Sequence, residues 1–125
     1  MARVLALTRD LLFGSQVQGA LTLAGHEVEL IGDESRLRER LADAVDPERP
    51  AADVLVVDLT DAELEGAAVV EALTGTGGLG ATSTLGFYSH VDVAARQRAE
   101  RAGFDLIVAR SRMAREGVDL VAGLV

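Results

Sequence analysis

The chain has 125 residues, 49% of them hydrophobic and 26% charged, a length suited to one ordinary domain and a composition that excludes intrinsic disorder and collagen-like repeats. Its formal charge is −8, which repels a phosphate backbone and argues against nucleic-acid binding. It has no cysteine, so disulfides, thiolate nucleophiles and Cys-ligated metal centres are excluded.

Every basic residue is arginine, so no lysine is available as a Schiff base or a compact phosphate-binding ammonium. The aromatic residues are Phe13, Phe87, Tyr88 and Phe104, too few for a base-stacking platform. No apolar run reaches about 18 residues and no signal-peptide pattern opens the chain, so a soluble, cytoplasmic protein without a membrane partner is expected.

Strand and helix patterns alternate along the chain. Residues 3–8 (RVLALT) form a short apolar strand. Residues 11–24 follow with a helical period, and Leu12, Val17, Ala20, Leu21 and Leu23 are its expected anchors. Gly25 stops that helix, because glycine reaches positive φ at little cost. Residues 27–31 (EVELI) alternate polar and apolar, as a half-buried edge strand does. A charged helix over 34–45 carries Leu37, Leu41 and Ala44 on one face, and Asp46-Pro47 ends it.

Residues 53–58 (DVLVVD) give the strongest strand signal, with four consecutive apolar residues implying burial on both faces. Thr60-Asp61-Ala62-Glu63 reads as a capping box opening a helix over 63–73. The Gly-rich stretch 74–83 joins a helix to a strand, which puts it at the sheet's amino-terminal edge as a connector rather than a phosphate cradle. A strand at 84–89, an Ala-rich helix at 92–102, a strand at 104–109 and a last helix capped by Ser111 complete the pattern, with Met113, Val118, Val121 and Leu124 anchoring that last helix.

Strict alternation forces right-handed crossovers and a doubly wound parallel α/β sheet. Five strands fit the three-layer flavodoxin-like order 2-1-3-4-5 in a single domain over 1–125; a Rossmann-type order, the alternative, normally needs a sixth strand. In either order the functional rim lies at the strands' carboxyl ends. That rim gathers Thr8, Arg9, Asp10, Gly32, Asp33, Asp58, Thr60, Ser89, His90, Arg110 and Ser111.

The rim resembles that of the receiver domains of two-component response regulators, over nearly the whole chain. Asp58 ends the third strand, with Gly66 eight positions on, as follows the phosphoacceptor aspartate of receivers. Ser89 ends the fourth strand where receivers keep Ser or Thr, Ala102-Gly103 matches a common receiver turn, and Arg110 stands where they keep lysine. The resemblance implies that two acidic residues after the first strand should join Asp58 in holding Mg²⁺. Thr8 and Arg9 occupy those positions, Asp10 comes late, and Ser111 replaces the usual proline. An arginine beside a divalent cation is electrostatically hostile. The resemblance therefore points to a degenerate receiver, with no cofactor and no enzymatic activity. It would act through another protein or a second copy, a homodimer forming through the fourth helix, fifth strand and fifth helix. Arg9 or Arg110 is expected to pair with Asp58 in place of the metal, or else to face solvent.

The competing reading is a small-ligand or anion sensor with Ser15, His90 and Ser111 joining the rim. Ser89-His90-Val91-Asp92 is not a hydrolase triad, because adjacent residues splay apart; it reads as a strand end, a loop residue and a helix cap. No G-x-G-x-x-G and no G-x-S-x-G motif is present.

Overall fold

The computed structural model describes residues 2–43, 50–89 and 91–125. In chain order the elements are β1 (Arg3–Leu7), α1 (Leu11–Leu23), β2 (Glu27–Ile31), α2 (Glu34–Ala42), β3 (Val54–Asp58), a 3-10 turn (Ala62–Leu64), α3 (Gly66–Thr76), β4 (Ser83–Tyr88), α4 (Val93–Ala102), β5 (Leu106–Ala109) and α5 (Arg110–Leu124). The sheet is entirely parallel, in the order β2-β1-β3-β4-β5. The flavodoxin-like order is thus the one adopted, and β2 is an edge strand as its alternation predicts. Residues 44–49, where the second helix was expected to end, lie outside the described residues.

Side-chain alternation along the central strands divides the core in two. Val4, Ala6, Val54, Val56, Leu85 and Phe87 face one side and meet Phe13, Val17 and Leu21 of α1 and Met113 and Val121 of α5. Leu5, Leu7, Leu55 and Val57 face the other and meet Leu37 and Leu41 of α2 and Val69, Val70 and Leu73 of α3. β3 is buried along its full length, which is why its sequence is continuously apolar until Asp58.

The helix α1 differs from the sequence expectation. Its buried face is Phe13, Gly14, Val17 and Leu21, whereas Leu12 is 74% exposed and Leu23 is 91% exposed. At 3.6 residues per turn, positions 13, 17 and 21 share one side and 12 and 23 fall opposite it. Gly25 does take the positive φ expected just past the helix.

Three further boundaries move. Asp61 caps only the short 3-10 turn, Glu65 then adopts a left-handed conformation, and α3 starts at Gly66 instead of Glu63. The first part of the Gly-rich stretch, Thr74–Thr76, belongs to α3, which Gly77 terminates. Finally, α5 begins at Arg110 directly after β5, without a side-chain cap, so Ser111 sits inside its first turn and does not cap it.

Gly66 lets α3 approach β3 closely. A β-carbon there would lie 2.5 Å from Val57 Cγ1 and 3.3 Å from the Asp58 carbonyl oxygen. Gly66→Ala must therefore push α3 off the strand that carries Asp58. We expect it to lower unfolding stability by about 1–3 kcal/mol, as overpacking in a dense core does, measured by urea denaturation.

Candidate functional site

The carboxyl ends of β1 and β3 bring Thr8 and Asp58 together. Asp58 is 2% exposed, yet both of its carboxylate oxygens are satisfied. The Thr8 hydroxyl donates to Oδ2 at 2.8 Å. The Thr60 hydroxyl and the Thr60 backbone N–H both donate to Oδ1, at 2.5 and 2.8 Å. The Thr8 hydroxyl in turn accepts the Asp10 N–H at 3.1 Å, which fixes its own proton toward Asp58. A buried carboxylate demands such donors, and two threonines supply them without burying a second charge.

Neither arginine reaches Asp58. The expected pair is absent because each guanidinium finds a carboxylate nearer the surface. Arg9 forks onto Asp61, with Nε to Oδ2 at 2.6 Å and Nη2 to Oδ1 at 2.8 Å, and its Nη2 also donates to Glu63 Oε2 at 3.1 Å. Arg110 donates through Nη2 to Asp10 Oδ2 at 3.0 Å and stacks 4.2 Å above the Phe13 ring. Carrying either guanidinium down to a buried carboxylate would cost desolvation that these half-exposed pairs avoid.

Asp10 is the N-cap of α1, its Oδ1 accepting the Phe13 N–H at 3.0 Å. Its two oxygens are thus divided between a helix end and Arg110. This bears directly on a divalent ion. The two positions where the resemblance implies acids hold a hydroxyl committed to Asp58 and an arginine committed to Asp61. Among the described residues, no three His, Asp or Glu side chains converge as a metal-ligand set. The donor set here does not fit Mg²⁺.

Two shallow depressions open on the rim. One is lined by Arg9, Asp10, Asp58, Thr60, Asp61 and Glu63, the other by Asp10, Phe13, Thr60, Ser89, Arg110 and Ser111. Ser89 and Ser111 therefore do share the rim with Arg110. Ser15 lines neither depression; it is exposed on the second turn of α1. His90 lies outside the described residues, while Asp92 caps α4 as expected, accepting the Ala95 N–H at 3.0 Å.

Sequence reading missed the roles of Thr60, Asp61 and Glu63. The signal was visible as Thr60-Asp61-x-Glu63, but the helical capping pattern absorbed all three. Only the rim geometry shows that Thr60 serves Asp58 and that the two acids serve Arg9.

The Arg9 guanidinium, chiefly through its hydrogen bonds, holds the Asp61 carboxyl below the usual carboxylate range, and Asp61 with Glu63 raises Arg9 in return. A depressed folded-state pKa contributes stability above the unfolded value, near 4, and that contribution is lost as pH falls through the folded value. In Arg9→Ala, the Asp61 titration followed by carboxyl NMR should move back up toward the ordinary value. The stability gap between wild type and variant should close as the solution is acidified below about pH 4. Thr8→Val removes the donor to Oδ2 and leaves that buried oxygen unpaired. It should cost about 1–3 kcal/mol in chemical denaturation, against a much smaller cost for Thr8→Ser.

No family model and no curated protein sequence matches this chain. Solved structures do match. The receiver domain of the TMAO respiratory system response regulator TorR aligns at TM-score 0.82 and 18% identity, covering 99% of this chain and 96% of that one. Vibrio cholerae chemotaxis protein CheY4 aligns at TM-score 0.80 and 19% identity, covering 100% and 99%. The Mn²⁺-bound form of response regulator Rcp1 aligns at TM-score 0.74 and 14% identity, covering 99% and 91%. At these identities the likeness is one of fold, and it spans the whole chain: this protein has the fold of the response-regulator receiver domain, on a sequence with little identity to those it matches.

Proposed function

We propose that this chain is a degenerate receiver-like signalling protein that acts by contact with other proteins and not by metal-dependent phosphorylation of Asp58. The observation that carries the reading is the enclosure of Asp58 by Thr8 and Thr60, with both nearby guanidiniums committed elsewhere. Phosphoryl transfer needs cations to offset charge on the equatorial oxygens of the moving group. Among the described residues this rim sets Asp10, Asp58, Asp61 and Glu63 against Arg9 and Arg110, so a phosphoryl group would add negative charge to an already acidic surface.

The same balance weakens the anion-sensor reading. That reading needs Arg9 and Arg110 open to a ligand, and both are paired. Hydrolytic chemistry has no assembled nucleophile and base among the described rim residues.

The contact surface favoured for a partner is α4, β5 and α5. The inner side of α4 is only Ala95, Ala99 and Ala102, while Arg96 and Arg101 are outward and Arg98 lines a depression beside α3 with Asp61 and Glu65. Arg96 pairs with Glu100 and lies 5.8 Å from the Tyr88 ring centre. Arg101 has no carboxylate partner among the described residues, which suits an acidic protein surface. The half-buried edge strand β5 lies between these helices. Such a protein belongs in a two-component setting as a regulator read by its shape.

The test is exposure to acetyl phosphate and to beryllofluoride, with and without Mg²⁺, read by intact mass and amide NMR. The expected outcome is no mass adduct and no Mg²⁺-dependent shift around Asp58. A metal-dependent adduct at Asp58 would overturn the reading.

A further inference from the structure

Asp61 stands between two arginines that come from different parts of the chain. It lines the rim depression with Arg9, Asp10 and Asp58. It also lines a second depression, of about 240 Å³, between α3 and α4, where Arg98 and Glu65 share the wall. No other charged residue lines both. Arg9 has captured it: the guanidinium fork takes both carboxylate oxygens, at 2.6 and 2.8 Å, and Oδ1 accepts the Glu63 N–H as well. Arg98 makes no ion pair among the described residues. Apart from Leu59, the remaining lining of its depression is alanine and glycine, which leaves the Arg98 stem room to lie inward across it.

We infer that Asp61 is a shared acceptor, held here by Arg9 and taken over by Arg98 when Arg9 is withdrawn, so that the loop after β1 and the helix α4 are coupled through one carboxylate. Its two oxygens already accept three hydrogen bonds, which leaves no room for a second guanidinium to fork onto them while the first is in place. Asp61, and not Glu65, is the acceptor that matters to Arg98. The Asp61 side chain is 20% exposed, and the Glu63 N–H already orients it. Glu65 is exposed and longer, so a pair with it is screened by solvent and costs more side-chain freedom.

The helix α4 is where such a pair has an effect. Its inner side of three alanines gives it little apolar area to fix it against the sheet, so an ion pair to the loop after β3 adds a tie that it otherwise lacks. An anionic group of a partner that draws the Arg9 guanidinium away at the rim thereby turns Asp61 toward Arg98 and tightens α4 at a distance. The coupling is intramolecular. It depends neither on the state of Asp58 nor on α4, β5 and α5 serving as the partner contact.

The experiment is NMR of the arginine side chains and of the Asp61 carboxyl on the full chain, with Arg9→Ala standing for the withdrawal of Arg9. In wild type the Arg98 Nε–H should exchange with water about as fast as that of Arg101, which likewise makes no ion pair among the described residues. In Arg9→Ala the Arg98 exchange should slow by about twofold to fivefold, the range open to a half-exposed ion pair, with Arg101 unchanged. The slowing should vanish when Asp61→Asn is added and persist when Glu65→Gln is added. Arg98→Gln alone should leave the Asp61 titration where it is, whereas added to Arg9→Ala it should move that titration further up, because the second cation is then gone too. Three results would overturn the inference: Arg98 exchange indifferent to Arg9→Ala, a slowing that follows Glu65 instead of Asp61, or an equal effect of Arg98→Gln with and without Arg9.

Discussion

The hydrogen bonds from two threonines to one buried carboxylate organise the carboxyl-terminal rim of the sheet. Asp58 terminates the most deeply buried strand, where an unpaired carboxylate would be intolerable. Thr8 reaches it from the neighbouring strand and Thr60 from the turn that follows, so the two loops of the central rim are tied to each other through Asp58. Because hydroxyls satisfy the carboxylate, no cation has to be buried beside it. The arginines are then free to form half-exposed pairs at the surface, and they do so with Asp10, Asp61 and Glu63.

These outer pairs draw the same loops together at the surface. Arg9 joins the loop after β1 to the loop after β3 through Asp61 and Glu63. Arg110, opening α5 without a cap, reaches Asp10 at the start of α1 and covers the Phe13 ring. Phe13 in turn packs against Phe87 of β4, with ring centres 5.0 Å apart. Among the described residues, these hydrogen bonds and ion pairs tie the loops of the rim together, with an acidic balance left over. The helices around this sheet differ in chemistry: α1 contains no charged residue, while α4 carries three arginines.

The sheet and its order were legible in the sequence because they rest on burial and connectivity. The continuous apolar run of β3, the alternation of β2 and the repeated change of period leave few arrangements that bury every apolar face. The position of Asp58 at the rim follows from the same pattern. Helix faces were less legible. α1 carries leucines on both sides, so apolar content did not distinguish Leu21, which meets the sheet, from Leu12 and Leu23, which do not. The start of α3 was misread because Thr60-Asp61-Ala62-Glu63 satisfies a local capping pattern while Thr60 is drawn to Asp58 and Glu65 takes a left-handed turn.

Sequence by itself determined the class of fold, the carboxyl-terminal rim, and the fact that residues 8 and 9 supply a hydroxyl and a guanidinium where an acid pair was expected. Those properties depend on residue type and order along the chain. Tertiary structure decided the partners: threonines to Asp58, Asp61 and Glu63 to Arg9, Asp10 to Arg110. An arginine side chain reaches carboxylates on several neighbouring loops, and its choice depends on the distance and desolvation of each. Those two quantities exist only once the strands have set the loops side by side.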